Sequence, residues 1–361
     1  MTEFETKQSR IQALLKKHQL EALLLQRVSS FAWATCGAAS YINTAAATGE
    51  ASLLVTPDGR YLITNNIEAP RLDQEEHLKA QGWQFVVRGW HEPAPPVAPG
   101  LKLGADTAYP GAVNLADEIA HLRADLLPEE GQRFRALGKL CAQALDSAIR
   151  AARPGQTEQQ LAAMLEHETQ SRGAQPIVVL IATDDRISKF RHPLPARDKK
   201  LERYAMLILC GRQYGLVASI TRLVHFGPLP RALRTKMEAT ARVDATFIAA
   251  TRPGRRLGEV FQSAVEAYAA NGFAGEWHLH HQGGAAGYEP REYLGLPGGA
   301  EVVAAGQAYA WNPSITGMKS EDTILVGEQA NEVITATDGW PMLTVDLAGE
   351  KVLRPAVLVV S

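Results

Sequence analysis

Two long helical stretches of this 361-residue chain are broken in the same way. Residues 129–152 read as a helix ended by Arg153-Pro154-Gly155, and residues 231–251 as a helix ended by Arg252-Pro253-Gly254. Proline removes a backbone donor and glycine tolerates a left-handed turn, so each tripeptide is a stop. A second helix follows each stop. The first is opened by Thr157 with Gln160 three residues on, a capping-box pattern, and the second covers 257–271. A strand-rich segment then follows each pair, Ile177 to Ser219 and His278 to Val326. Helix, stop, helix, strands, twice in order, reads as an internal duplication. Two such units packing their sheets together, helices outside, make one α+β domain with a central cleft. This predicts a domain over 127–361 and a separate, smaller one over 1–126.

The first 126 residues alternate between helix and strand. Ile11, Leu14 and Leu15 lie at helical spacing, and an apolar run follows from Glu21. Pro57-Asp58-Gly59 between ASLLVT and RYLIT predicts a hairpin over 51–64. A helix is expected from about Asn66 to Gln81, then a strand in WQFVVRGW. The prolines of 91–100 predict a loop, followed by a strand in LKLGAD and a helix in VNLADEIAHLRADL.

Composition narrows the function classes. Thirty-seven basic residues against 39 acidic ones give a net charge of −2, without the basic excess that nucleic-acid binding needs. Cys36, Cys141 and Cys210 are too far apart for a disulfide framework or a CxxC zinc pairing. Apolar runs such as Ile177 to Ala182 are strand-sized, and the charged N-terminus lacks a leader-like apolar run. A cytoplasmic protein with no membrane or nucleic-acid partner is expected.

Several segments carry a resemblance. LERYAMLILCGRQYGLVASITRLVHFG (201–227), HLHHQGGAAGYEPRE (278–292), AWNPSITG (310–317) and KSEDTILV (319–326) resemble, in order and spacing, the signature segments of the pita-bread family of methionine aminopeptidase, aminopeptidase P, prolidase and creatinase. The N-terminal block is similar to the α/β domain that precedes the pita-bread domain in the creatinase and prolidase branch. The resemblance implies that fold over nearly the whole chain, and a homodimer.

It also implies a pair of divalent metals held by five side chains. Laid onto this sequence, those positions carry Cys210, Ser219, Gly284, Asn312 and Glu321. Two dications need several carboxylates to offset four positive charges, and only Glu321 remains. The expectation is therefore no dinuclear metal site and no cofactor.

The remaining candidates each have two readings. His192 falls where the resemblance places a histidine over the substrate, suited to moving a proton; otherwise it is a loop histidine beside Pro193. Glu321, freed from metal, accepts a proton or orients water, or is simply paired with Lys319 or Arg222. His280 matches a family histidine that is not a metal ligand, which points to substrate contact. On a strand, His278 and His280 share a face and His281 points away, which invites a single zinc completed by Cys210 or Glu321, or else marks hydrogen-bonded strand histidines. Arg291 stands where relatives carry histidine and suits a substrate carboxylate, unless it pairs with Glu289 or Glu292. Gly283 to Gly287 lacks any phosphate-loop pattern, so close packing is expected. Cys210 is a nucleophile with His192 as its base, or, as its apolar strand Leu207-Ile208-Leu209-Cys210 favours, a buried and inert thiol. Cys210, Ser219 and Asn312 are assigned, with His280 and Arg291, to substrate binding, and His192 and Glu321 to catalysis.

Two functions follow. One is a metal-independent C–N hydrolase of a small amide, peptide or guanidino compound, by analogy with creatinase, although the glutamate creatinase carries on its second strand falls at Thr221. The other is a non-catalytic protein that binds a peptide or small molecule in the altered cleft.

Overall fold

The computed structural model describes residues 1–93, 97–347 and 349–361, and divides into two compact units. The first comprises Met1–Ala124 with Tyr214–Leu216, and the second Asp125–Gln213 with Val217–Ser361.

The first unit is built on a six-stranded sheet, ordered Gln84–Arg88, Arg60–Asn65, Thr48–Val55, Ala22–Arg27, Leu103–Ala105, Val113–Asn114. The Pro-Asp-Gly hairpin forms, with Val55 opposite Arg60 and the Thr56 amide donating to the Gly59 carbonyl at 2.9 Å. The helix expected over Asn66–Gln81 is shorter, Ala69–Gln74. His77 takes φ +56°, which a helix interior excludes, and the chain turns to bury Leu78 fully. The last helix starts at Ala116, because Val113–Asn114 joins the sheet and the Asn114 Oδ1 accepts from the Ala116 amide at 3.0 Å. Of the proline-rich 91–100 stretch, residues 94–96 lie outside the described residues.

In the second unit the duplication is visible in detail. Helices Pro128–Ala151 and Arg231–Ala250 each end before an Arg-Pro-Gly turn, with Gly155 at φ +92° and Gly254 at φ +86°. These positive values exclude a β-carbon without strain. The Gly155 amide donates to Leu201 and the Gly254 amide to Val303, both at 2.8 Å. Isolated bridges Thr157–Lys200 and Arg256–Val302 repeat the same attachment just downstream. Helix Glu158–Ser171 has the expected capping box, the Thr157 Oγ1 accepting from the Gln160 amide and the Gln160 Oε1 from the Thr157 amide. Helix Leu257–Ala270 is its counterpart.

Each half contributes a sheet. One is ordered Leu358–Val360, Leu216–Phe226, Tyr204–Gln213, Gln175–Thr183; the other Tyr293–Leu294, Gly283–Ala286, Ala308–Trp311, Asp322–Leu325, Glu332–Val333. Thr221 bridges Glu321, and the Thr323 hydroxyl exchanges hydrogen bonds with the Ser219 backbone at 2.9 and 3.0 Å, which joins the two halves. Behind this seam lies a buried ionic quartet. Arg354, wholly buried, donates to Asp244 at 2.7 Å and Asp322 at 2.6 Å, and Arg222 donates to Asp322 at 2.9 Å. Two cations and two carboxylates balance, which makes burial of all four tolerable. Among the described residues no helix is long and apolar enough to cross a membrane.

Removing Arg354 leaves two aspartates in the interior short of a counter-charge. Arg354→Met is expected to destabilise the fold by about 3–5 kcal/mol, read by urea unfolding; an unchanged midpoint would show that the quartet carries no net weight.

Candidate functional site

Strand alternation sorts the residues at the seam into two sets. Ser320 and Asp322 face the quartet, Ser320 donating to Asp244 at 2.5 Å, so Lys319 and Glu321 face the opposite side. Lys319 is carried there by the hairpin of Ser314–Ile315 and Met318–Lys319, whose turn uses Gly317 at φ +90°. On the neighbouring strand, Ser219 and Thr221 point the same way as Glu321, while Arg222 points to the quartet.

Glu321, 2% exposed, is enclosed by donors. Lys319 Nζ lies 3.0 Å from Oε2, Arg291 Nη2 is 3.0 Å from Oε1, and the Thr221 hydroxyl donates to Oε2 at 2.5 Å. Burial alone would raise the carboxyl's pKa; the two cations beside it win and hold it down at about 2. Arg291 also donates to the Ser219 hydroxyl at 3.1 Å and to the Pro290 carbonyl at 2.6 Å. The pairing of Arg291 with Glu289 or Glu292 does not form: Glu292 accepts from the Tyr288 and Glu289 amides, and Arg291 reaches Glu321 instead. Arg222 likewise pairs with Asp322 and not with the Glu321 carboxylate.

The histidines form a second layer. His192 and His280 meet Nε2 to Nε2 at 3.0 Å, and His281 stacks on His280 with ring centroids 4.3 Å apart. The strand expected over 278–281 is absent. Glu276–Leu279 is a 3-10 turn, so His278 is exposed and stacks on Trp277, and His281 joins His280 where strand alternation would have turned it away. Burial, reinforced by the Lys319 charge, pushes His280 down to about 2; burial and the Arg291 charge push His281 to about 4. His192, the most exposed of the three, is lowered by burial and Lys319.

The loop that carries His192 is anchored by two residues that belong to none of the signature segments. Glu158, wholly buried, accepts from the Thr183 amide and hydroxyl, from Arg186 and from the Ala196 amide, which ties both ends of the loop. Arg191 donates to Glu276 at 2.6 Å and to the Thr316 hydroxyl at 3.0 Å, setting the loop against the turn before His280. A glutamate directly after a helix cap was the available signal for the first; nothing local marked the second.

Cys210 is buried with its Sγ 3.3 Å from the Ser219 hydroxyl, and burial together with the Glu321 charge raises its pKa, so the thiol stays protonated. Asn312 is buried with its Oδ1 unpartnered. Gly284 sits between Leu294 and Ala310, where a β-carbon would come within 2.1 Å of the Tyr293 carbonyl oxygen. The glycine run is therefore used for packing, and no side-chain ligand fits at 284. A pair of divalent metals does not fit this donor set: it offers one carboxylate, already paired with two cations. The imidazoles of His192, His280 and His281 have ligating atoms within 4.8 Å of one another, a spacing a single soft metal accepts, but Lys319 and Arg291 set positive charge against it.

The profile of metallopeptidase family M24 matches residues 132–328, more than half of the chain. The chain belongs to this family. The prolidase from Pyrococcus horikoshii OT3 superposes with a TM-score of 0.78 at 19% identity, over 92% of this chain and 99% of that one. This likeness bears out the pita-bread fold with its preceding α/β domain. The agropine synthesis cyclase of Rhizobium rhizogenes is 32% identical over 37% of this chain and 36% of its own length. The Xaa-Pro dipeptidase of Pyrococcus furiosus is 26% identical over 62% of this chain and 66% of its own. The chain thus spans about a third of the first relative and just under two thirds of the second. In this M24 member, Glu321 is paired with an arginine and a lysine, Arg291 and Lys319.

A histidine held neutral in the fold but free to protonate when unfolded makes stability fall with pH. The loss begins as pH drops below 6.5, the unfolded value, and continues to about 4 for His281 and lower for His280. Glu321 adds a second loss only below 4.5, as pH falls toward about 2. The urea midpoint is therefore expected to decline between pH 6.5 and 5, and the decline to be shallower in His280→Gln; equal slopes in the two proteins would contradict the assignment.

Proposed function

We propose that this M24 member is a metal-independent hydrolase of a C–N bond in a small amide or peptide. The observation that carries the reading is that Glu321, the one carboxylate left of the ligand set that the resemblance implies, is paired with the side-chain cations Lys319 and Arg291. His192 and His280 supply the proton transfer. They touch through their Nε2 atoms, one of them must be the donor, and both are neutral near pH 7, so one imidazole has a lone pair to accept a proton from water. The proton then passes to the leaving nitrogen as water's oxygen bonds to the carbonyl carbon and the C–N bond breaks. Glu321, with Oε1 and Oε2 both committed, positions the two cations and takes no part in proton transfer.

A relative named as a cyclase, the agropine synthesis cyclase of Rhizobium rhizogenes, makes ring closure a further reaction class to screen beside hydrolysis. A binding protein without turnover is the second reading, favoured because Glu321, the carboxylate whose charge acts on all three histidines, is already committed to two cations and is no free base.

Protein purified without added metal is expected to contain well under one metal ion per chain by elemental analysis. Its activity in a mass-spectrometric screen of small amides is expected to survive chelators. His192→Ala is expected to lower kcat by about 10²–10⁴. Stoichiometric metal with chelator-sensitive dipeptide cleavage, or an unchanged rate in His192→Ala, would overturn the proposal, and absence of turnover on every amide screened would leave the binding reading.

A further inference from the structure

The first unit holds a cavity of about 720 Å³ on its six-stranded sheet, within the size range of small-molecule sites. The topology of the sheet places it. Every strand but Thr48–Val55 runs in the same direction. From Ala22–Arg27 the chain goes on to Thr48–Val55 on one side and returns at Leu103–Ala105 on the other, so the strand order reverses there. Gln26, Thr64 and Arg88, each the last or next-to-last residue of its strand, line the cavity. Open sheets with mostly parallel strands take ligands at the carboxyl ends of those strands, beside such a reversal. The histidines and Glu321 belong to the second unit and have no part in this cavity.

Two opposite charges line this cavity without pairing. Ser52 is opposite Ile63, and Asn65 is opposite Arg88. Glu50, two residues before Ser52, is therefore on the same face as Arg88 and level with it, two strands away. Two strand spacings of about 4.8 Å put their backbones about 10 Å apart. Ile63, on the strand between, gives the cavity an apolar floor. Leu103 and Tyr109 wall it, the Tyr109 hydroxyl accepting from the Val97 amide at 2.9 Å. Elsewhere in this unit acids and bases near the surface pair up, Lys17 with Glu118, Lys79 with Asp73 and Arg71 with Glu76. Among the described residues the exposed Glu50 carboxylate has no hydrogen-bond or ion-pair partner. Arg88 uses only Nη1, on the Glu92 carbonyl at 2.5 Å and the Gly89 carbonyl at 3.4 Å. That anchors the guanidinium and leaves Nε and Nη2, an edge that takes a carboxylate through two parallel bonds. Gln26 adds a donor, since its Oε1 is held by the Thr107 hydroxyl at 2.9 Å and its amide nitrogen is left over.

We propose that the first unit binds a free α-amino acid with an apolar side chain, its ammonium on Glu50, its carboxylate on Arg88 and its side chain over Ile63 and against Leu103 and Tyr109. The dimensions agree. The charged ends of an α-amino acid lie about 3 Å apart. A charge-assisted hydrogen bond of about 2.8 Å at each end brings the span from Glu50 to Arg88 to about 9 Å. A ligand with one charge fits less well: an anion on Arg88 still faces Glu50 across the floor, and a cation on Glu50 still faces Arg88. Opposite charges held apart over an apolar strip select both charges in one molecule. This site is independent of the hydrolase reading, and either stands if the other falls.

Isothermal titration of the full-length protein with L-leucine, N-acetyl-L-leucine and L-leucinamide tests this. L-leucine is expected to bind, and the two derivatives, each lacking one charge, to bind about tenfold or more weakly. Glu50→Gln and Arg88→Gln are each expected to weaken leucine binding by about tenfold or more. Absence of leucine binding at about 10 mM, by heat and by any rise in Tm, overturns the proposal. So does binding of either derivative as tightly as leucine. These two outcomes are read on the unaltered protein, whatever the folding of the variants. Folded Glu50→Gln and Arg88→Gln proteins that bind leucine as the parent does would overturn the placement of the site and the proposal with it.

Discussion

One buried carboxylate organises the centre of this protein. Glu321 is ionised at 2% exposure only because Lys319, Arg291 and Thr221 surround it. Remove the carboxylate and two cations face each other in the interior; remove either cation and the carboxylate loses half its compensation. The bridge from Thr221 to Glu321 is also where the two duplicated halves meet, so the electrostatics of the site and the seam of the fold are one feature. Strand alternation then places one set of charges behind the seam and another in front of it within four residues, 319 to 322.

This arrangement accounts for how an M24 fold persists without the family's ligand set. The two halves are held together by hydrogen bonds and an ion pair across the seam, Thr221 to Glu321, Arg291 to Ser219, Thr323 to Ser219 and Arg222 to Asp322. Gly284 shows how far the change has gone: its neighbours have closed to 2.1 Å of any β-carbon, so a histidine cannot simply be restored there.

Much of this was legible in the residues. The paired Arg-Pro-Gly stops, the Thr157 cap and the Pro-Asp-Gly hairpin depend on local backbone preference, and each forms as expected. The failures were of another kind. The helix over 66–81 stops early because burying Leu78 outweighs continuing the turn. His278 to His281 read as a strand, and a 3-10 turn intervened because Glu276 is drawn to Arg191 and Thr316. Arg291 had two acidic neighbours in sequence and chose neither.

The sequence by itself determined the duplication, the order of the signature segments and the residues at positions 210, 219, 284, 312 and 321, because these are matters of residue identity and spacing. Tertiary structure alone decided what surrounds Glu321. The deciding contacts join residues far apart in the chain: His192 with His280 across 88 positions, Arg191 with Glu276 across 85, Thr221 with Glu321 across 100. No local preference encodes such pairs. They follow from which side chains the two halves bring to one seam, and from the cost of leaving a buried charge alone.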